Sequence, residues 1–194
     1  MKITLIRHGK TPANEKKLYC GHTDISLSET GKSEIRILKE KGIYPKIEEA
    51  DFFYTSEKIR TFETLQLIYG DIDSKKIAGF DEFNFGDFEM KSYELLKEEQ
   101  PYIDWISDKT GEVFCLNGEN KKTFERRVIK AYNELLASSH KHIVICTHGG
   151  VITTLMQHLF PEEDRNFYDW QPSCGGGYQI TYEKYRSLEE KYDG

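Results

Sequence analysis

Two histidines and two arginines in this 194-residue chain occupy places from which they could handle a phosphoryl group. Arg7-His8-Gly9 follows a short apolar run at residues 3–6, and Thr147-His148-Gly149-Gly150 follows another at 143–146. Arg60 lies four residues after Ser56, just beyond a third run at 51–55. A guanidinium is a rigid fork of donors matched to phosphate oxygens. An imidazole with a free lone pair can attack phosphorus and carry a covalent intermediate. Two arginines and a protonated second histidine would stabilise charge spread over the equatorial oxygens. The leaving alkoxide would need a proton, and so an acid held protonated near neutral pH. Each piece alone is weak. Arg-His-Gly is short enough to arise by chance, and a lone helix arginine is usually solvated. Convergence of the four would carry the weight, and convergence depends on the elements that hold them.

Hydrophobic periodicity places strands at 2–6, 51–55, 142–146 and 177–182, with a short one at 76–80. Helices are expected at 28–41, 57–69, 92–100, 123–138 and 151–160. Ser28 would cap the first helix, with Ile35 and Leu38 facing inward. Ser56 would cap the second, with Ile59, Phe62, Leu65 and Ile68 along one side and Arg60 in its first turn. Residues 81–91 lack clean periodicity and read as loop. Strands alternating with helices imply an α/β fold, a three-layer sandwich with a mostly parallel central sheet and helices on both faces. Ligands of such sheets bind outside the carboxyl ends of the strands. That rim is where Arg7, His8, Arg60 and His148 would meet. No repeat or linker divides the chain, so residues 1–194 are expected to form one domain.

Composition narrows the ligand. Hydrophobic residues make up 38% and charged residues 31%, with a formal net charge of −6. An acidic chain is a poor partner for nucleic acid or a membrane surface, both polyanionic. An anionic ligand would therefore need positive charge concentrated in one pocket. The apolar run before Arg7 is too short for a signal-peptide core, and no later run reaches membrane length, so a cytoplasmic protein is expected. Cys20, Cys115, Cys146 and Cys174 lie far apart, with neither Cys-x-x-Cys nor zinc spacing. They read as reduced thiols, with no metal and no cofactor implied.

The motifs, taken in order, resemble those of the histidine phosphatase superfamily, in the phosphoglycerate mutase-like branch that also holds small phosphatases such as α-ribazole phosphatase. Arg7-His8-Gly9 with Thr11 and Asn14 is similar to its first signature. Gly21 to Asp24 with Leu27, Ser28 and Gly31 resembles the next segment, and Thr55-Ser56 with Arg60, Thr61 and Thr64 the segment bearing the second phosphate arginine. Glu82 before Gly86, then Gly118-Glu119 with Phe124 and Arg127, and finally Thr147 to Gly150, match the remaining three. The resemblance implies a phosphoglycerate mutase-like fold and no metal. It implies that His8 is the phosphorylated nucleophile and that Arg7, Arg60, His148 and Gly149 hold the phosphoryl group with help from Asn14. Glu82 would then protonate the leaving oxygen. Phe83 and Phe85 give a reason for a raised Glu82 pKa if they desolvate the carboxyl.

Some residues depart from the family pattern. Met90 follows Glu89 where glycine is common, Leu116 stands near a usual proline, and the segment 172–177 differs from the mutases. Mutases of the family carry a longer insertion between the acid and the second histidine, whereas here Glu82 and His148 are only 66 residues apart. A hydrolase of a small phosphorylated metabolite is the expected activity. A phosphoglycerate mutase on the same residues is the alternative, and a non-catalytic phospholigand-binding protein the third reading. α-Ribazole phosphate, a sugar phosphate and a phosphoglycerate all fit as substrate. His22, Cys20, Cys174, Tyr19, Trp170 and Tyr178 are weaker candidates for the pocket wall, and His158 reads as structural.

Overall fold

The structure, a computed structural model, describes residues 1–181 and 184–189. Its centre is a six-stranded sheet in the order β3-β2-β4-β1-β5-β6. The strands are β1 (Lys2–Arg7), β2 (Phe52–Thr55), β3 (Lys75–Lys76), β4 (His142–Thr147), β5 (Gly177–Thr181) and β6 (Lys184–Ser187). β1, β2 and β3 run parallel to β4, directly or through a neighbour, while β5 and β6 close one edge antiparallel. Residue Tyr182, expected at the end of β5, lies outside the described residues. The edge strand β6 was not anticipated.

Side chains on each strand alternate between two cores, as a period of two requires. Ile3 and Leu5 of β1, with Ile143 and Ile145 of β4, pack with α6 (Lys121–Leu136) and α7 (Gly149–Leu159). Ile6, Val144 and Cys146 pack on the other face with Ile35 of α2 (Glu29–Glu40) and with Leu65 and Ile68 of α3 (Ile59–Tyr69). The fold is therefore the expected mostly parallel sheet between two helical layers. Parallel pairing sets Arg7 beside Thr147, and Thr55 beside Cys146. Three central strands thus end at one rim. Among the described residues no helix is long and apolar enough to cross a membrane.

Several boundaries differ from the sequence reading. Ser28 caps α2 as expected, accepting from the N–H of Gly31 at 3.0 Å. Ser56 does not cap α3, which starts at Ile59 and takes its cap from a distant loop. The Asp24 carboxylate accepts from the Ile59 N–H at 2.8 Å. Nor is the inner face of α3 the expected apolar stripe. Ile59 is 37% exposed, while Arg60, Thr61 and Thr64 are buried beside Leu65 and Ile68. The helix turns polar side chains inward because its first turn faces the strand ends. Expected strand 76–80 shrinks to a two-residue β3 and a single 3-10 turn, Ala78–Phe80. Expected helix 92–100 is two helices, α4 (Tyr93–Leu96) and α5 (Gln100–Ser107). Pro101 lies in the first turn of α5, where its missing N–H costs no hydrogen bond. α1 (Pro12–Glu15) is a single capped turn after β1.

Candidate active site

β1 delivers Arg7 and His8 to the rim, and the bond from the His8 N–H to the Thr147 carbonyl (2.9 Å) extends the β1–β4 pairing past the strand end. His8 is 5% exposed. Its Nδ1 lies 2.7 Å from the Gly9 carbonyl, which can only accept, so Nδ1 carries the proton and Nε2 keeps its lone pair. Burial, then the guanidinium of Arg60 and that of Arg7, hold the His8 pKa well below the usual imidazole value. The ring is therefore neutral at neutral pH, the state a nucleophile needs.

Each arginine is aimed by backbone carbonyls. Arg60, 1% exposed, donates to Gly21 O at 2.7 Å and Thr23 O at 3.0 Å. Arg7 donates to Pro172 O at 2.7 Å. Arg7 Nε and Arg60 Nε have no hydrogen-bond partner although both are buried. Buried unpaired donors are costly, and two on guanidinium groups that both act on His8 fit an anion that supplies the missing acceptors.

His148 follows β4 as the N-cap residue of α7 and is fully buried, its ring centroid 5.1 Å from that of His8. Its Nε2 meets Ser56 Oγ at 2.8 Å, while its Nδ1 has no partner. Burial foremost, then Arg60, His8, Lys58 and Arg127, keep its pKa well below 6.5. Burial first, and then these four neighbouring groups that carry or can take positive charge, favour the neutral ring in the ligand-free protein.

The glycines after His148 admit two charged groups. A side chain at Gly149 would meet Gln171 Nε2 at 2.6 Å and the Arg7 guanidinium at 3.2 Å. One at Gly150 would meet Glu82 Oε1 at 2.3 Å. The Glu82 carboxylate accepts from the N–H of Gly150 and of Phe83, both at 2.9 Å, and so sits on the N-terminus of α7. Phe83 packs into the aromatic core with Phe85, Trp105 and Phe124, and Phe85 also meets Tyr19.

Asn14 is partly committed. Its Oδ1 accepts from the N–H and hydroxyl of Thr11, in the cap of α1, which leaves the amide hydrogens to offer. Trp170 and Tyr178 are core residues. Tyr19 is half-buried, its hydroxyl 2.6 Å from that of Tyr102. His22 is exposed on the loop beside Arg60, Cys20 and Cys174 are partly buried, and His158 is exposed in the last turn of α7. His142 opens β4, roughly 17 Å from the rim on strand geometry, and is not part of this group.

Sequence reasoning missed the groups that hold backbone in place. Glu89 accepts from the N–H of Gly21, His22, Thr23 and Phe85 and from the Thr23 hydroxyl. It thereby fixes the loop whose carbonyls aim Arg60. Arg127 donates to the carbonyls of Gly79, Asp81 and Glu82 and pairs with Glu119 at 2.7 Å, which braces the acid segment. Their place in the recurring motifs was the only signal, because a backbone-holding role leaves no pattern in residue type.

The chain is similar to known proteins over most of its length. Residues 3–192 match the family model described as the histidine phosphatase superfamily (branch 1). The chain is 32% identical over 166 residues to an adenosylcobalamin/alpha-ribazole phosphatase of Salmonella typhimurium, covering 82% of this chain and 79% of that one. It is 29% identical over 198 residues to a 2,3-bisphosphoglycerate-dependent phosphoglycerate mutase of Lachnoclostridium phytofermentans, covering 82% and 77%. Its fold is similar to that of a putative alpha-ribazole-5'-P phosphatase of Escherichia coli, with a TM-score of 0.80, 27% identity and coverage of 96% and 94%. Arg7, His8, Arg60, Glu82 and His148 stand at one sheet rim inside a match that spans almost the whole sequence, and the chain belongs to the histidine phosphatase superfamily, branch 1.

Proposed function

We propose that the chain is a phosphomonoesterase acting on a small phosphorylated metabolite through phospho-His8. The observation that carries this reading is the His8 ring. Its Nδ1 proton is committed to Gly9 O, its Nε2 lone pair is free, and two guanidinium groups with unpaired Nε–H donors lie beside it. Arg7, Arg60 and His148 hold the phosphoryl oxygens, joined by the Asn14 amide and the N-terminus of α7 at Gly149. His8 Nε2 attacks phosphorus, the ester P–O bond breaks, and Glu82 gives its proton to the departing oxygen. Glu82 then takes a proton from water as that oxygen attacks phospho-His8. Phosphate leaves and the His8 lone pair returns. A phosphoglycerate mutase is the second reading, favoured by the 29% identity to a mutase. The short span between Glu82 and His148, filled by α4, α5 and α6, favours water as acceptor, since a mutase must shield phosphohistidine from it.

A panel of phosphomonoesters, including α-ribazole phosphate, sugar phosphates and a phosphoglycerate, tests this. Release of inorganic phosphate is expected, with no turnover by His8→Ala. Glu82→Gln is expected to lose about 100-fold or more on poor leaving groups and little on a nitrophenyl ester, which needs no protonation. Undiminished hydrolysis by His8→Ala would overturn the nucleophile, and net isomerisation of phosphoglycerate without phosphate release would establish the mutase.

A further inference from the structure

His148 is neutral in the ligand-free protein, yet it faces a site that should offer hydrogen-bond donors to an anion. A neutral imidazole has one N–H, and the nitrogen that carries it decides whether the ring attracts or repels a phosphoryl oxygen. We infer that Ser56 is a positioning residue that donates its hydroxyl proton to His148 Nε2 and so keeps the His148 proton on Nδ1, the ring nitrogen without a partner in the protein. This rests on the proposed phosphatase reading only for what the Nδ1 proton is for. The tautomer itself follows from the hydrogen bonds.

The protons around Ser56 can be counted. Ser56 Oγ is fully buried and has three neighbours: the Lys58 N–H at 3.2 Å, Thr61 Oγ1 at 3.2 Å and His148 Nε2 at 2.8 Å. Lys58 N–H can only donate. Thr61 spends its single hydroxyl proton on the Lys58 carbonyl, 2.8 Å away, so Thr61 Oγ1 can only accept from Ser56. The Ser56 proton therefore has two destinations. Bonds between hydroxyls run about 2.5–3.0 Å, so the Thr61 separation is too long for a good one. The 2.8 Å approach to Nε2 suits an O–H donor, and the proton goes there. Nε2 is then the acceptor and Nδ1 holds the hydrogen. Nδ1 is buried and has no partner in the protein, which leaves it a donor awaiting an acceptor. Arg60, His8, Lys58 and Arg127, the charged and titratable groups around the ring, all oppose a second proton on it. Tautomer choice is thus the means by which His148 donates without becoming a cation.

Nitrogen-15 NMR of the histidine-labelled, ligand-free protein at neutral pH reads the tautomer directly, with His148 assigned by its loss in a His148→Gln variant. Protonated Nδ1 and bare Nε2 are expected. The reverse pattern overturns the inference and leaves the phosphatase reading standing. The expected pattern in a protein that hydrolyses nothing overturns the phosphatase reading and leaves the tautomer assignment standing. Ser56→Ala is expected to move the proton toward Nε2 and to weaken binding of inorganic phosphate about 10-fold, one charge-assisted hydrogen bond. Thr61→Val, which deletes the competing acceptor, should leave the tautomer unchanged. An unaltered tautomer in Ser56→Ala overturns the role of Ser56. The wild-type spectrum decides the tautomer even if that variant does not fold.

Discussion

A carboxylate and a guanidinium reach the start of α7 because residues 149 and 150 carry no side chains. The gap above Gly150 is the tighter, since a methyl there would stand 2.3 Å from Glu82 Oε1. Gly150→Ala should push the Glu82 carboxyl out of line without touching His8 or either arginine. Misplacing a catalytic group by about 1 Å can cost about 100-fold in rate. The expected loss falls on kcat for poor leaving groups, with a nitrophenyl ester spared, in steady-state assays of both. Equal loss on both substrates would mean that the change disturbs the phosphate site instead. At this scale the sequence was readable where a residue does chemistry. His8, Arg60 and His148 carry reactive or ionic groups after strands, and a parallel sheet sends strand ends to one rim. Glu82 became legible only through resemblance, because one glutamate among 33 acidic residues has no distinguishing periodicity. Ser56 read as a helix cap, a sound inference from type and position that Asp24 displaces from another part of the chain.

Strands and long helices were legible as elements because burial imposes a period on them. α2, α6 and β4 lie within two residues of their expected bounds. The short pieces between 76 and 107 were not, because their conformation is set by partners far away in sequence. Loop 81–91 shows this best. Glu89 ties it to residues 21–23, and the Met90 N–H donates to Tyr19 O at 2.7 Å. That crossing holds Met90 at φ +60°, the left-handed region, where family members often have glycine. A side chain there costs about 1–2 kcal/mol, partly offset by the entropy glycine loses on folding. Met90 is 39% exposed and packs little. Met90→Gly should therefore stabilise the protein by roughly 0.5–1 kcal/mol, read as a higher denaturant midpoint at unchanged slope. A lower midpoint would show that the Met90 side chain contributes more than its strain takes away.

The whole molecule carries a net charge of −6 yet gathers Arg7, Arg60, Lys58 and Arg127 around two buried histidines. This has a price in acid. Burial first, then these cations, depress the His8 and His148 pKa values below 6.5, while the unfolded chain keeps the ordinary value. As pH falls through 6.5 the unfolded state takes up protons that the folded state refuses. Stability is thus full above pH 6.5 and declines below it, by up to about 1.4 kcal/mol per pH unit for each of the two rings. Urea unfolding between pH 8 and pH 5 should show that decline, and His8→Asn should make it shallower. A stability that does not change from pH 7 to pH 5 would mean the rings take protons in the folded state.

The loop at residues 21–23 lies between two ions that never touch. Its N–H groups point at the Glu89 carboxylate, and the carbonyls of Gly21 and Thr23 point at the Arg60 guanidinium. No direct ion pair joins Glu89 and Arg60 among the described residues. The peptide planes between them are oriented like the polarised filling of a charged capacitor, each plate holding the dipoles the other needs. Charge removed from one plate is then felt at the other. A double-mutant cycle on Glu89→Gln and Arg60→Gln should show coupling of about 1 kcal/mol or more in folding stability, and strict additivity would show that the loop transmits nothing.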